Sequence, residues 1–309
     1  MEAFVFAGQG SQRQGMGGNL FETVPEFARA EREIDAVLGY SVRELCLQDG
    51  GRRLQQTAYT QPALFVVNAL HAWDAFSRGL QPRYLAGHSL GEYNALLAAG
   101  VFDFVTGVRL VQKRGALMGE ARDGGMTAIV GLESRRIEAL LREHGFDAVD
   151  VANHNSRTQT VLSGPVDELR RAGPIFEAAG AHAVVPLPVS AAFHSRYMKR
   201  AAEEFAAFLA DVPLGRPSIP VLSNVTARPY PRDGDASAMR ELLVRQIAEP
   251  VLWTHSVLYL LDRGVETFHE MGPGNVLTRL VNQIRQPPVP ADAVGGTPMT
   301  ALAAPRSAA

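Results

Sequence analysis

The chain has 309 residues, of which 46% are hydrophobic and 20% are charged, a composition typical of an ordinary globular protein. Its formal net charge of −2 gives no overall field that would attract nucleic acid or an anionic membrane, so neither is an expected partner. The single cysteine, Cys46, excludes an internal disulfide, and neither a signal-peptide pattern nor a run of about 18 apolar residues occurs, so we predict a cytoplasmic protein.

Strand and helix patterns alternate over residues 1–125. The predicted elements are strands at 3–7 and 82–86 and helices at 24–38, 62–76, 92–99 and 104–121. Pro62 is predicted at the first position of its helix, where its missing N–H costs no hydrogen bond. Alternating strands and helices indicate a mostly parallel sheet that is covered on both faces.

Residues 126–190 follow another pattern, with the element order βαββαβ. Strands are predicted at 127–131, 149–152, 160–163 and 182–187, and helices at 134–144 and 166–179. This order is typical of a ferredoxin-like unit. We therefore predict that residues 126–190 form a small domain inserted into a larger one.

After residue 190 the patterns of the first part resume. Helices are predicted at 195–211, 236–247, 254–263 and up to about 285, with strands at 221–225 and 267–271. Residues 1–125 and 191–285 would together form the large α/β domain. Residues 286–309 are mostly Pro, Ala, Gly and Ser, so we predict a disordered tail.

The most informative motif is Gly87-His88-Ser89-Leu90-Gly91, which has the form G-x-S-x-G. A predicted strand precedes it and a predicted helix follows it, as a nucleophile elbow requires. Glycines allow the sharp turn, and the N-terminus of the helix favours an oxyanion near the serine. We predict that Ser89 is a nucleophile; the alternative is a purely structural turn.

A serine nucleophile needs a base, and eight histidines are available. His194 lies just past the predicted strand that ends the inserted unit, a kind of position where catalytic residues occur in α/β sheets. From the residues alone His194 is one candidate among several. The others fit surface or packing positions: His71, His88, His144, His154, His182, His255 and His269.

Two further groups could complete such a site. The N–H of Leu90, which follows the nucleophile, is placed to donate to an oxyanion, and the loop Gly8-Gln9-Gly10 could supply a second donor or form a simple turn. Arg114 could hold a carboxylate with its planar fork of donors. The residues alone favour the simpler interpretation of Arg114, a solvated charge on a helix.

Taken together and in order, these motifs and several others resemble one family. The segments that carry the resemblance are 8–12, 61–63, 87–93, 112–115, 153–156, 193–195, 223–225 and 272–277. They resemble the malonyl-CoA:acyl carrier protein transacylases and the acyltransferases of polyketide synthases, especially the freestanding ones. The resemblance covers about residues 1–285. It implies an α/β-hydrolase-like large domain with a ferredoxin-like insertion.

The resemblance also implies a role for each matching residue. Ser89 matches the nucleophile and His194 the general base and acid, with the imidazole oriented by a backbone carbonyl at Gln246. The N–H groups of Gln9 and Leu90 match the oxyanion hole. Among the substrate-binding positions, Arg114 matches the arginine for the malonyl carboxylate, Asn153 and Asn155 match positions that line the site, and Phe193 matches a residue that favours malonyl over methylmalonyl.

The implied reaction is a ping-pong transfer without a metal or cofactor. Malonyl-CoA acylates Ser89, and the phosphopantetheine thiol of an acyl carrier protein, acting as a separate partner, then takes the malonyl group. We expect a monomer that serves polyketide or fatty-acid synthesis. Two alternatives stay open: an acyl hydrolase of the same family that clears carrier proteins, and a catalytically idle docking subunit.

Overall fold

The computed structural model describes residues 1–122, 124–231 and 235–286 of the chain. Two separate sheets organise the described residues. The predicted disordered tail lies outside the described residues, apart from Gln286. No helix in the described ranges is both long enough and apolar enough to span a membrane.

The larger sheet consists of four parallel strands. In chain order they are β1 (Glu2–Phe6), β2 (Tyr84–Gly87), β7 (Val221–Leu222) and β8 (Thr267–Met271). Their spatial order is β7-β2-β1-β8, and every neighbouring pair is parallel. Parallel strands are buried on both faces, and the side chains of β1 after Glu2 are accordingly apolar and buried.

Helices cover both faces of this sheet. They are α1 (Leu20–Thr23), α2 (Pro25–Leu38), α3 (Val42–Gln48), α4 (Thr57–Ser77), α5 (Gly91–Ala98), α6 (Phe104–Glu120), α9 (Lys199–Leu209), α10 (Ala236–Ala248), α11 (Trp253–Asp262) and α12 (Val276–Arg285). Phe4 and Phe6 point into the core that contains α4 and α6. Ala3 and Val5 point into the core formed with α11 and α12. This alternation along β1 follows from the two-residue period of a strand.

The smaller sheet is antiparallel and lies within residues 125–186. Its elements are β3 (Gly125–Val130), α7 (Ser134–Glu143), β4 (Asp150–Ser156), β5 (Gln159–Gly164), α8 (Val166–Ala178) and β6 (Ala183–Pro186). The strand order β4-β5-β3-β6 combined with βαββαβ connectivity is the ferredoxin-like arrangement. It has its own apolar core, to which both helices contribute.

Two of the predicted helices begin differently in the structure, and α1 and α3 were not predicted. Helix α4 begins at Thr57, so Pro62 lies inside it and not at its first position. Pro62 removes only one hydrogen bond near the start of a 21-residue helix that is buried over most of its surface, and the helix continues through it. The predicted helix after His194 begins as a short 3-10 turn, Arg196–Met198, before α9.

Candidate active site

Ser89 stands at the sharp turn between β2 and α5. Its φ of 51° lies in the left-handed region, which is unusual for a residue with a side chain. The turn is too tight for anything but glycine on either side. A Cβ on Gly87 would lie 1.9 Å from the carbonyl carbon of Gly91, and a Cβ on Gly91 would lie 2.1 Å from the oxygen of Phe6. This strain holds the Ser89 hydroxyl out of the turn.

His194 pairs directly with Ser89. The Ser89 Oγ lies 2.7 Å from His194 Nε2, and His194 Nδ1 lies 2.8 Å from the backbone oxygen of Gln246. Because a carbonyl oxygen only accepts, Nδ1 carries the proton, and Nε2 is left to accept from the serine hydroxyl. His194 also has a positive φ, 56°, which fixes its approach to the serine.

The environment of His194 favours the neutral imidazole. Burial, together with the positive charge of Arg114, lowers the pKa of His194 to about 3. The hydrogen bond from Nδ1 to the Gln246 carbonyl oxygen opposes this shift. A neutral imidazole with a free Nε2 is the form that can take a proton from a serine hydroxyl.

Arg114 is buried, with 1% of its surface exposed, and it lies directly beside Ser89. Its Nη2 donates to Ser89 Oγ at 3.1 Å and to the Oε1 of Gln246 at 2.9 Å, and its Nη1 donates to the Oε1 of Gln61 at 2.7 Å. Its guanidinium carbon lies 5.4 Å from the ring centre of Tyr93. These three acceptors are neutral oxygens, so the guanidinium keeps its full charge beside Ser89.

Two backbone N–H groups flank the serine without an acceptor in the described part of the chain. They belong to Gln9 and Leu90. Strands β1 and β2 are neighbours, so the loops that follow them lie side by side. Gly8 allows the closest approach, because a Cβ there would lie 2.4 Å from the backbone oxygen of His88. Donors in this position can receive the oxygen of a tetrahedral intermediate.

Buried amide side chains support the elbow. The Asn224 Oδ1 accepts from the Ser89 N–H at 2.8 Å, and its Nδ2 donates to the oxygen of Gly87 at 2.6 Å. The Nε2 of Gln246 donates to the backbone oxygen of Ser89 at 2.7 Å. These bonds satisfy the backbone groups that the turn leaves unpaired. The sequence prediction assigned no role to Asn224 or Gln61, nor to the side chain of Gln246.

A cavity of about 370 Å³ opens over Ser89. Seven of the nine predicted site residues line it: Gln9, Ser89, Leu90, Arg114, Asn153, Phe193 and His194. Gln246 lies beneath it and contacts Ser89 and Arg114. The other walls are largely apolar, with Met118, Met126, Leu187 and Val189 among them. The cavity can therefore accept an acyl group with a polar end at Arg114.

Asn155 does not line the cavity. Its Oδ1 accepts a hydrogen bond from Nε2 of His88 at 2.8 Å, and the His88 ring packs 5.7 Å from that of Trp253. His88 itself lines the cavity beside Ser89. Asn155, on β4 of the smaller sheet, thus fixes a residue of the elbow across the boundary between the two sheets. No group of three or more potential metal ligands occurs among the described residues.

Comparisons with known proteins agree on one family. Residues 3–297 match the model of the acyl transferase domain. The chain is 47% identical over 287 residues to the polyketide biosynthesis malonyl CoA-acyl carrier protein transacylase BaeC of Bacillus velezensis, covering 92% of this chain and 97% of that protein. It is 50% identical to the polyketide biosynthesis protein ThaF of Burkholderia thailandensis, over 92% of this chain. It spans only 24% of ThaF's length.

Solved structures give the same result. A malonyl CoA-acyl carrier protein transacylase from Burkholderia pseudomallei superposes with a TM-score of 0.87 at 48% identity, covering 94% of this chain and 99% of that one. A malonyl-transacylase solved in complex with its type II polyketide synthase acyl-carrier protein superposes with a TM-score of 0.86 at 39% identity. That match covers 92% of this chain and 93% of the other.

Proposed function

Because this chain belongs to the acyl transferase domain family, we propose that it transfers a malonyl group from malonyl-CoA to the phosphopantetheine thiol of an acyl carrier protein. The observation that carries the proposal is the contact between Arg114 Nη2 and Ser89 Oγ at 3.1 Å. It sets a buried positive charge next to the nucleophile, where the far end of a short acyl group would lie. A carboxylate at that end would pair with the charge.

Acylation begins at the Ser89–His194 pair. His194 Nε2 takes the hydroxyl proton while Oγ attacks the thioester carbonyl of malonyl-CoA. The carbonyl oxygen becomes an oxyanion that accepts from the N–H groups of Gln9 and Leu90. When the carbonyl re-forms, the bond to sulfur breaks, and the proton on His194 passes to the leaving thiolate of CoA. Malonate is then held as an ester of Ser89.

Arg114 selects the acyl group during this step. One N–H of Nη1 is not used by Gln61, and the Nη2 N–H that contacts Ser89 Oγ is released once that oxygen is an ester. One N–H from each nitrogen matches the two oxygens of a carboxylate. An acetyl group leaves these buried donors unpaired, so it is disfavoured.

Transfer to the carrier reverses the same steps. The phosphopantetheine thiol gives its proton to His194 and attacks the malonyl ester, and His194 returns the proton to Ser89 Oγ as the ester bond breaks. The relatives of highest listed identity are named for polyketide biosynthesis, which supports a polyketide synthase carrier as the acceptor. The phosphopantetheine belongs to the carrier, so the enzyme itself needs no cofactor.

The decisive experiment is a two-stage assay with labelled malonyl-CoA. Wild-type protein is expected to take up one label on the peptide that contains Ser89 and to pass it to a holo acyl carrier protein. Ser89→Ala should take up none, whereas Ser77→Ala, a matched change on an exposed helix end, should behave as wild type. Label that remains on Ser89→Ala would contradict the mechanism.

The same assay separates transfer from hydrolysis. With carrier present, most of the label should appear on the carrier thiol, and free malonate should form much more slowly. Rapid release of free malonate, or faster release of acetyl than of malonyl, would identify an acyl hydrolase instead. No uptake at all by wild-type protein would identify an idle docking subunit.

A further inference from the structure

Glu92 is the one buried carboxylate among the described residues, and the mechanism above does not use it. It lies in the first turn of α5, three residues after Ser89. Its Oε1 accepts from the hydroxyl of Tyr230. Its Oε2 accepts from the backbone N–H of Asn224 at 2.9 Å and from Nε2 of Gln246 at 3.3 Å. A fully buried acid with this many donors needs a physical reason.

Gln246 connects this carboxylate to the arginine of the site. Its Oε1 accepts from Arg114 Nη2 at 2.9 Å, and its Nε2 is the group that donates to Glu92. The amide is therefore polarised between a cation and an acid. Arg114 and Glu92 are also the only charged side chains of Asp, Glu, Lys or Arg that are buried in the described ranges. A buried guanidinium is costly without a compensating charge.

Malonyl binding would change this balance. In the free enzyme the positive charge of Arg114 is balanced, through Gln246, by the negative charge of Glu92. A malonyl carboxylate adds a second negative charge against the same cation, and two neighbouring carboxylates oppose each other's ionisation. The least costly response is for one acid to take a proton. The malonyl carboxylate would be held by Arg114 directly, so Glu92 is the group to be neutralised.

The surroundings of Glu92 already bring its pKa close to neutral pH, so a small further shift would protonate it. Burial raises the pKa of Glu92 and outweighs the lowering effect of the hydrogen bonds from Tyr230, Asn224 and Gln246 and of the charge of Arg114, so the net pKa is about 7. The titratable or charged groups that face it are Tyr230, Tyr93 on its own helix and Arg114 on α6. Of these, only Arg114 carries a charge at neutral pH, because burial raises the pKa of both tyrosines.

We propose that Glu92 is the counter-charge of Arg114 in the free enzyme and that it takes up a proton from solvent when an acyl group bearing a carboxylate binds Arg114. This inference rests on the proposed malonyl transfer and concerns its specificity. Glu92 acts through Arg114 and Gln246, so it is a specificity-determining positioning residue. With Glu92 ionised, the preference for malonyl over acetyl weakens; with Glu92 protonated, it is strongest.

The first test is the isosteric variant Glu92→Gln. Its amide oxygen can accept from Asn224 and Gln246, and its NH₂ can donate to the oxygen of Tyr230, so the network keeps its shape without the charge. Acylation of Ser89 by malonyl-CoA and by acetyl-CoA is measured from pH 6 to 9. The wild-type ratio of kcat/KM for malonyl over acetyl should fall about tenfold as pH rises, the change that corresponds to a pKa displacement of about one unit.

Glu92→Gln should hold the ratio constant and near its low-pH value. Identical pH dependence of the ratio in wild type and Glu92→Gln would overturn the inference. Tyr230→Phe is a second variant that keeps the charge but removes a donor to the carboxylate. In Tyr230→Phe the ratio of kcat/KM for malonyl over acetyl should fall at a higher pH than in wild type. This variant therefore tests the inference even where Glu92→Gln fails to fold.

A direct measurement uses a pH indicator in weak buffer at pH 7.5. Acylation itself is neutral in protons, because the serine proton ends on the CoA thiol. Wild-type protein should therefore remove a substantial fraction of one proton from solvent per malonyl group loaded, and none with acetyl-CoA. Malonyl loading without proton uptake would defeat the Glu92 inference alone, whereas absence of malonyl loading on Ser89 would defeat the proposed function and the inference together.

Discussion

Arg114 Nη2 donates to Ser89 Oγ at 3.1 Å, so the residue proposed to select the substrate contacts the proposed nucleophile itself. The same nitrogen donates to Gln246, whose backbone oxygen accepts from His194, the proposed base. Selection and proton transfer therefore depend on one connected set of hydrogen bonds. A change at either end is expected to alter both the choice of acyl group and the rate of its transfer.

Arg114→Leu should reverse the acyl preference. Loss of a buried, hydrogen-bonded partner of a carboxylate costs about 3 kcal/mol, so kcat/KM for malonyl-CoA should fall about 100-fold or more. Acetyl-CoA should react as fast as with wild type or faster, because no buried donor is then left unpaired. Competition between labelled malonyl-CoA and acetyl-CoA measures the ratio.

Arg109→Leu is the matched control for Arg114→Leu. It lies on the same helix, but its side chain is 58% exposed and pairs with Glu33 on the surface. It should leave the malonyl-to-acetyl ratio unchanged. An equal loss of malonyl and acetyl transfer in Arg114→Leu would contradict the proposed role of Arg114, since it would indicate a purely structural effect.

The predictability of Arg114 from sequence depends on which pattern is considered. The bare residue on a helix with Arg109 and Lys113 favours a solvated charge. Residues three or four positions from Arg114, however, are Leu110, Val111, Leu117 and Met118, and all are buried. Arg114 therefore shares the apolar face of α6. The helical periodicity of the apolar residues therefore predicts that Arg114 is buried, whereas its charged neighbours alone do not.

The elbow could be predicted because its constraints are local. The positions of Gly87 and Gly91 are dictated by backbone contacts within a few residues and with the adjacent strand. Asn224 and Gln61 are different, because they reach the site from a distant loop and from α4. Asn and Gln are common in loops and helices, so nothing local in the sequence distinguishes these amides from others. Their roles depend on tertiary packing.

His194 should remain an effective base well below pH 6.5. Its pKa is lowered to about 3 by burial and by the charge of Arg114, so the imidazole stays neutral as the solution is acidified. The rate of Ser89 acylation by malonyl-CoA should therefore show no decrease between pH 7 and pH 5 that is attributable to His194. Rapid-quench measurement of the acyl-enzyme over this range checks it. A tenfold loss with an apparent pKa near 6.5 would contradict it.

The same shift makes stability depend on pH. The unfolded state binds a proton at His194 below about pH 6.5, whereas the folded state does so only near pH 3. The unfolded state thus holds more protons between these values, so this contribution to the unfolding free energy is complete above pH 6.5 and is lost as pH falls. Urea unfolding from pH 7 to 4 should show a weaker pH dependence for His194→Asn than for wild type.

Asn224→Ala should loosen the elbow. The change leaves the N–H of Ser89 and the oxygen of Gly87 without their buried partner, which costs about 2–4 kcal/mol of unfolding free energy. Acylation should slow at least tenfold, because the left-handed backbone of Ser89 loses a contact that fixes it. Thr226→Ala, an exposed neighbour, should change neither quantity measurably. Wild-type rates in Asn224→Ala would contradict the proposed positioning role.

Gly8→Ala should displace the proposed oxyanion loop. The added Cβ would lie 2.4 Å from the backbone oxygen of His88, so the Gln9 N–H must move away from the elbow. The acylation rate should fall about 100-fold, the cost typical of one lost oxyanion donor, and binding of malonyl-CoA should change little. Gly50→Ala, where a Cβ meets no atom within 4 Å, is the control and should behave as wild type.

Phe193→Ala should admit a branched acyl group. Phe193 lines the cavity next to His194 and is 7% exposed, so its ring fills space where the acyl chain is proposed to lie. A methyl group is worth about 1–3 kcal/mol in such a pocket, so methylmalonyl should gain roughly tenfold or more relative to malonyl. Competition between the two CoA esters at equal concentration measures the change. Phe208→Ala shortens an aromatic side chain that does not line the cavity, and it should leave the ratio at its wild-type value. If both variants shift the ratio equally, general loosening of the core explains the result, and Phe193 has no specific role.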